Sequence, residues 1–127
     1  MSAEVELDRL AAVLTGYGFG YLLTTRDDGQ AHVSAVHASV RGGALHVPDV
    51  GRRTREHLAA RPSVTMLWPP ADQGGYSLIV DAVASLGAGD DVSLVPTRAV
   101  LHRPAPPRAP EPDGPACGSD CVEVPLT

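Results

Sequence analysis

Short strand-like segments separated by tight turns fill most of residues 19–103, and this alternation constrains the fold more than any other feature. Aromatic and β-branched runs bounded by Gly, Pro and Asp are typical of strands. Six such segments are predicted, at residues 19–25, 31–40, 44–47, 63–68, 76–86 and 92–103. Asp27-Asp28-Gly29-Gln30 predicts a hairpin between the first two, because glycine readily adopts positive φ.

One helix is predicted at residues 50–60, where it crosses between the third and fourth strands. Arg61-Pro62 ends it, since the residue before a proline disfavours the α conformation. The segment 31–40 has polar and apolar residues on both faces, which is typical of a strand that lines a polar cavity or lies at an edge. Together these elements predict a mainly β fold, a six-stranded antiparallel barrel that is closed or half-closed.

Two terminal segments flank the strands. Ser2 is a suitable N-cap, and apolar residues recur at helical spacing after it, so a helix is predicted over residues 2–14. From Pro104 onwards the composition changes, because seven of the twelve prolines lie in Pro104–Pro125. We therefore divide the chain into a barrel domain, 1–103, and a Pro-rich C-terminal tail, 104–127, of extended character.

Length and charge exclude several classes of function. A chain of 127 residues fits one domain. The formal net charge of −5 argues against a general nucleic-acid binder. No apolar run approaches the ~20 residues of a membrane span, and the acidic, amphipathic N-terminus is unlike a secretory signal. These features predict a cytoplasmic protein with no membrane partner.

The predicted helix carries an unusual concentration of positive charge. Four of the ten basic residues are Arg52, Arg53, Arg55 and Arg61, and the first two fall in the first helical turn. A helix N-terminus already carries about half a positive charge, so a bound anion such as phosphate would resolve the conflict. The alternative is a solvated basic helix whose N-cap, Asp49, supplies the negative charge locally.

The order and texture of these segments resemble the pyridoxamine 5′-phosphate oxidase-like split-barrel family. The matching stretches are Gly20–Thr25 (GYLLTT), Gly29–His37 (GQAHVSAVH), Gly43–Val47 (GALHV), Gly51–Leu67 (GRRTREHLAARPSVTML) and Gly75–Ser85 (GYSLIVDAVAS). The resemblance implies a split β-barrel and a homodimer that binds two flavin-type cofactors, FMN above all, in clefts at the subunit interface. It also implies that a small molecule is oxidised or reduced there.

The resemblance implies a set of cofactor-binding residues. The phosphate would be held at the helix start, by Gly51, Arg52 and Arg53, with Arg55 as a further candidate. The flavin ring would lie along one strand, with Ser34, Ala35 and Val36 nearest it, and the strand end at His46, Val47 and Pro48 would touch the ring or the ribityl chain.

This sequence departs from the family pattern at two of these positions. Gly51 stands where a Ser or Thr is usual, and Arg53 where a Lys is usual, although Arg can bind phosphate with two hydrogen bonds. The oxidase-specific substrate residues are absent, so pyridoxamine phosphate oxidation is not implied. Two alternatives to FMN-dependent chemistry remain: a reductase that uses the deazaflavin F420, whose anionic tail Arg55 and Arg61 would serve, and a non-catalytic binding protein.

Other reactive residue types are present without a clear pattern. His37 is a candidate proton donor because it ends the strand expected to line the flavin, but a partly buried structural histidine, hydrogen-bonded to backbone, is the favoured interpretation of that position. Tyr76 is a second candidate proton donor, although packing at a strand start is the favoured interpretation, and Trp68 is expected either to pack in the core or to stack at the dimer cleft. The five histidines have no metal-ligand spacing, although one could be an axial haem ligand. Cys117 and Cys121 are expected to be free thiols in a reducing compartment.

Overall fold

Over the residues that the structure describes, this protein has a curled antiparallel sheet of eight strands, and two α-helices pack against it. The computed structural model describes residues 2–87 and 89–105, so the predicted tail beyond Ala105, with both cysteines, lies outside the described residues. The elements are β1 (Ser2–Val5), a 3-10 turn (Leu7–Arg9), α1 (Leu10–Leu14), β2 (Gly20–Thr25), β3 (Ala31–Val36), β4 (Ser39–Arg41), β5 (Ala44–Val47), α2 (Arg52–Ala60), β6 (Ser63–Trp68), β7 (Ser77–Leu86) and β8 (Val92–His102).

All strand pairs are antiparallel, in the order β3-β2-β6-β7-β8-β5-β4. The eleven-residue β8 pairs with β7 along one edge, while β5 and β1 share its other edge. A register shift between Asp81 and Ala82 bends the long β7–β8 ribbon, as bulges do. The sheet therefore curls into a half-barrel, and the prediction of a mainly β, antiparallel split barrel is confirmed.

The strand predicted over 31–40 is two strands. β3 pairs with β2 at one end of the sheet, and β4 pairs with β5 at the other, with His37 and Ala38 between them. Within β3 the half-buried His32, Ser34 and Val36 alternate with the exposed Ala31, Val33 and Ala35, so its faces are mixed before the chain changes partners. This division, together with β1, raises the strand count from the predicted six to eight.

The N-terminal helix predicted over 2–14 is wrong for its first half. Ser2–Val5 form β1, which pairs with β8 from Ala99 to His102, and only Leu10–Leu14 are α-helical. The side chain of Val5 is buried in the core, and Glu4 lies 3.5 Å from Arg98 of β8. Pairing along an open edge of β8 thus overrides the helical spacing of the local sequence.

The local turn signals are confirmed. The Arg26 amide donates to the Gln30 carbonyl at 2.8 Å, and Gly29 has φ +86°, so the β2–β3 hairpin closes where the sequence places it. The strands β5 and β6 match their predicted ranges, and α2 occupies 52–60 of the predicted 50–60.

The core lies on the inner face of the curled sheet. Trp68 is fully buried there, and a Cβ added at Gly20 would lie 2.8 Å from its Nε1 atom, so the indole packs directly on the β2 backbone. The other large, fully buried side chains are Leu10, Leu22, Leu45, Leu58, Met66, Leu78 and Leu94. Within the described part of the chain, neither helix has the length and apolarity that crossing a bilayer requires.

Candidate anion and cofactor site

The start of α2 has no side-chain cap. The N-cap residue is Gly51, with extended backbone at φ −66° and ψ 161°, and the first turn contains no acidic residue. The prediction that Asp49 caps this helix is wrong: Asp49 lies two residues earlier, in a left-handed conformation with φ 58°. The partial positive charge at the first amide groups of α2 is therefore not neutralised by a carboxylate of the first turn.

The four arginines of this region have different surroundings. Arg52 is 91% exposed and lies 3.9 Å from Glu56, while Arg61 donates to Asp27 at 2.8 Å and so ties the end of α2 to the β2–β3 hairpin. Arg55 is half-buried, and its Nη1 atom is buried with no hydrogen-bond partner among the described residues. Arg53 makes no ion pair with any described residue and lines a pocket.

This pocket lies between the β2–β3 hairpin and the first two turns of α2, and has a volume of about 340 Å³. Seven residues line it: Arg26, Asp27, Asp28, His32, Arg53, Glu56 and His57. Each of its three carboxylates already has an arginine within 4 Å, as Asp28 does at 3.2 Å from Arg26. The donors left for a ligand are the guanidinium of Arg53 and the two imidazoles.

The two imidazoles of the pocket contact each other and three hydroxyl groups. The rings of His32 and His57 are 5.0 Å apart at an angle of 74°. His32 Nε2 lies 3.3 Å from the Thr54 hydroxyl and 3.4 Å from the Ser34 hydroxyl. His57 Nδ1 lies 3.3 Å from the Thr24 hydroxyl. Strand β2, strand β3 and helix α2 therefore meet in one polar cluster.

Sequence reasoning missed His32, His57 and the two threonines as site residues. The hairpin register pairs Thr24 with His32, and Thr54 and His57 are three residues apart on α2, so they share a helix face. Those two spacings were readable from the sequence. That the helix face packs on the hairpin was not readable, because it depends on the curvature of the sheet.

The residues predicted to contact the flavin ring are divided between two faces. Ser34 and Val36 alternate with the exposed Ala35, so they face the half-barrel interior while Ala35 faces outwards. Val47 is fully buried in the core, which leaves only its backbone for a ligand, whereas Pro48 and Gly51 are exposed. The assignment of these six residues to a cofactor stays a prediction.

The candidate proton donors lie elsewhere. His37 is exposed and its ring is 6.3 Å from that of Phe19, which in turn contacts Tyr21 edge-on at 5.4 Å. Tyr76 is a packing residue: the Arg103 guanidinium lies 4.5 Å from its ring centre, and its carbonyl accepts a 2.8 Å hydrogen bond from Tyr17. Burial raises the pKa of the Tyr17 hydroxyl above its usual value.

A metal site is not evident in the described residues. No group of three His, Cys, Asp or Glu side chains there is placed to hold an ion. His46 and His102 do not line the pocket and contact the hydroxyls of Ser93 and Ser2, respectively.

The chain is similar to some known proteins in sequence and to others in fold only. No known protein-family profile matches the chain. It is 45% identical over 134 residues to uncharacterised proteins of Mycobacterium bovis and Mycobacterium tuberculosis, and the match covers 94% of this chain and 94% of theirs.

Solved structures share the fold at lower identity. A putative pyridoxamine 5′-phosphate oxidase from Listeria innocua superimposes with a TM-score of 0.62 at 18% identity, covering 75% of this chain and 96% of that protein. An F420 reductase gives 0.59 at 20% identity, with coverage of 69% and 93%. An FAD-binding protein from Mycobacterium smegmatis gives 0.58 at 19% identity, with coverage of 81% and 100%.

Proposed function

Because this chain belongs to the same family as the two uncharacterised mycobacterial proteins and has the split-barrel fold of pyridoxamine 5′-phosphate oxidase-like proteins, we propose that it binds a flavin-type cofactor, FMN, and acts with it as an oxidoreductase on a small organic molecule. The observation that carries this proposal is the pocket beside α2. Arg53, His32 and His57 line it, and its carboxylates are already engaged by arginines. Such a pocket suits the phosphate of FMN.

Two further features of the site fit a bound phosphate. The uncapped first turn of α2 offers free amide donors at the positive end of a helix. The buried Nη1 of Arg55 has no described acceptor, and an unpaired buried guanidinium nitrogen is costly. An anionic group at the helix start, or a carbonyl from a second subunit, would supply that acceptor.

The division of labour follows from this placement. A flavin supplies the hydride chemistry, and the protein supplies position and electrostatics. Arg53 and the imidazoles hold the phosphate, and β3 orients the ring, with Ser34 and Val36 on the same face as His32 and Ala35 on the other. His37 is exposed just after the end of β3.

Charge distribution favours FMN over F420. F420 has a long anionic tail, for which Arg55 and Arg61 were the candidate partners. Arg61 is already bound to Asp27 at 2.8 Å, and three of the seven residues that line the pocket are carboxylates. A single phosphate fits this arrangement better than a chain of anions does, since each added anion meets Asp27, Asp28 or Glu56.

A homodimer is part of the proposal. Val83 and Val95 are opposite each other on β7 and β8, 42% and 52% exposed, on the outer face of the sheet. Exposed paired valines on a strand are a surface that a second copy would cover. Changing both to serine is expected to convert a dimer to a monomer in light scattering, whereas Leu7→Ser, at an exposed site on the 3-10 turn, is expected to leave the mass unchanged. A wild-type monomer at micromolar concentration contradicts this part.

The cofactor test is a titration of the protein with FMN, in which quenching of flavin fluorescence reports binding. The absorption spectrum of the protein as purified shows whether a flavin is already bound. Arg53→Gln is expected to weaken FMN binding about tenfold or more, as loss of a charge-assisted hydrogen bond does. Arg98→Gln removes the same charge from an exposed pair with Glu4 and is the matched control. Equal FMN affinity of the two variants, or no binding of FMN or F420 by the wild type, refutes the proposal.

A second candidate function is a binding protein without turnover. The observation in its favour is Gly51, which offers the phosphate no hydroxyl at the helix cap. Mixing the FMN-loaded protein with NADPH or NADH under anaerobic conditions separates the two. Bleaching of the flavin absorption by a hydride donor supports the oxidoreductase, and tight binding without bleaching supports the binding protein.

A further inference from the structure

The only polar side chains that are buried in the described part of the chain are two threonines, and each meets a histidine of the pocket. Thr24 is 2% and Thr54 is 6% exposed. The Thr24 hydroxyl lies 3.3 Å from His57 Nδ1, and the Thr54 hydroxyl lies 3.3 Å from His32 Nε2. Neither hydroxyl has another described hydrogen-bond partner, so each buried O–H proton has one acceptor within reach.

This arrangement determines the position of the proton on each ring. A neutral imidazole has one N–H and one nitrogen with a lone pair. A buried hydroxyl left without an acceptor costs about 1–3 kcal/mol, so the nitrogen that faces each threonine is the one with the lone pair. His32 then has its proton on Nδ1, and His57 has its proton on Nε2. The Ser34 hydroxyl also lies 3.4 Å from His32 Nε2, but Ser34 is only half-buried, so water can accept its proton instead.

The two protonated nitrogens are the ones available to a ligand. Neither His32 Nδ1 nor His57 Nε2 has a described hydrogen-bond partner, and neither is among the buried unpartnered atoms, so both are open to solvent. Both rings line the pocket beside Arg53. We infer that Thr24 and Thr54 are positioning residues that hold His57 and His32 in complementary tautomers, so that both rings present an N–H donor to a phosphate-type anion.

This inference rests on the anion site of the proposed function, but it does not require a flavin. Its distinctive consequence is that the pocket has two N–H donors even when both imidazoles are neutral, so phosphate binding persists at pH 8. The other charged groups that face the rings are Arg26, Arg53, Asp27, Asp28 and Glu56.

The experiment is long-range ¹H–¹⁵N NMR of the histidine rings at pH 8 in the protein without added flavin, combined with a titration with inorganic phosphate. The wild type is expected to show the Nδ1–H form at His32 and the Nε2–H form at His57. Thr54→Val keeps the shape and removes the hydroxyl, so His32 is expected to shift towards the Nε2–H form and phosphate affinity to fall about tenfold, the loss of one hydrogen bond to a charged group. Thr24→Val is expected to act in the same way on His57.

Two controls separate positioning from a structural effect. Thr54→Ser and Thr24→Ser restore the hydroxyl and are expected to restore both the tautomer and the affinity. Thr65→Val removes a half-buried hydroxyl on β6, away from the pocket, that donates a 3.0 Å hydrogen bond to Asp81. This variant is expected to change neither the tautomers nor the phosphate affinity. An Nε2–H proton on His32 in the wild type, or equal phosphate affinity of T54V and T65V, overturns the inference. A protein with the expected tautomers and phosphate affinity that fails to bind FMN loses the proposed function and keeps this one.

Discussion

The contact between Gly20 and Trp68 yields the most sharply defined prediction for stability. A methyl group at Gly20 would lie 2.8 Å from Nε1 and 2.9 Å from two carbons of a fully buried indole. Carbon atoms pack best at about 3.5–4.0 Å, so Gly20→Ala needs a displacement of more than half an ångström. The ring is rigid and closed in by the core, so the β2 backbone or the indole has to move.

The magnitude follows from two opposing terms. Overpacking of a well-packed core costs about 1–3 kcal/mol, and replacing glycine stiffens the unfolded chain, which returns about 0.4–1 kcal/mol. We expect a net loss of about 1–2 kcal/mol in the free energy of unfolding, which lowers Tm by roughly 4 °C per kcal/mol for a domain of this size.

Urea denaturation followed by far-UV circular dichroism measures this in every variant, including those in which Trp68, the one tryptophan of the chain, is replaced. Gly18→Ala is the matched control, since a Cβ there meets nothing within 4 Å. In the background of Trp68→Phe, whose smaller ring leaves room, Gly20→Ala is expected to cost clearly less, and a double-mutant cycle reports the coupling. If G20A is as stable as G18A, or its cost is the same with phenylalanine at position 68, the packing argument is refuted.

Three further predictions concern the helix cap, alkaline stability and the hairpin. Gly51→Ser adds an N-cap hydroxyl on a Cβ that meets no atom within 4 Å, so we expect a few tenths of a kcal/mol of stability and FMN affinity about fivefold tighter from one added hydrogen bond. Gly18→Ser is the control, and equal FMN affinity of the wild type and Gly51→Ser contradicts the prediction. Burial raises the pKa of Tyr17, so its contribution to stability is complete below the unfolded-state pKa near 10.0 and is lost as the pH rises through the folded-state pKa. Tyr17→Phe is expected to flatten the alkaline part of the plot of urea midpoint against pH. An unchanged plot contradicts the prediction. Arg61→Gln breaks the exposed ion pair with Asp27, so the free energy of unfolding is expected to change by less than ~1 kcal/mol. Amide hydrogen exchange over residues 26–30 is expected to accelerate. Exchange as slow as in the wild type shows that Asp27 needs no partner.

Elements with a strong local signal were predictable, and those decided by long-range pairing were not. The β2–β3 hairpin follows from Asp28 and Gly29, whose turn geometry needs no tertiary context. Residues 2–5 have a helical apolar spacing, yet they pair with β8 because that strand is longer than β5 and leaves an edge uncovered. Only the folded sheet contains that information.

The candidate site divides in the same way. The arginines of α2 were conspicuous in the sequence, and the one that lines the pocket, Arg53, was among them. Its partners His32 and His57 are twenty-five positions apart and meet only because α2 packs on the hairpin. The assignment of Asp49 as the cap failed because the left-handed turn at Asp49 moves the helix start two residues along the chain.

The shared edge of β8 has a consequence for handling this protein. Residues Ser2–Val5 occupy the backbone groups of Ala99–His102 that β5 does not reach. A chain truncated beyond Val5 would leave backbone N–H and C=O groups unpaired along β8, between β5 and the end of the sheet. Such unpaired strand edges pair with strands of other molecules. Ser2–Val5 therefore protect this edge of β8 from intermolecular strand pairing, so an affinity tag is better joined through a linker that leaves them free to pair.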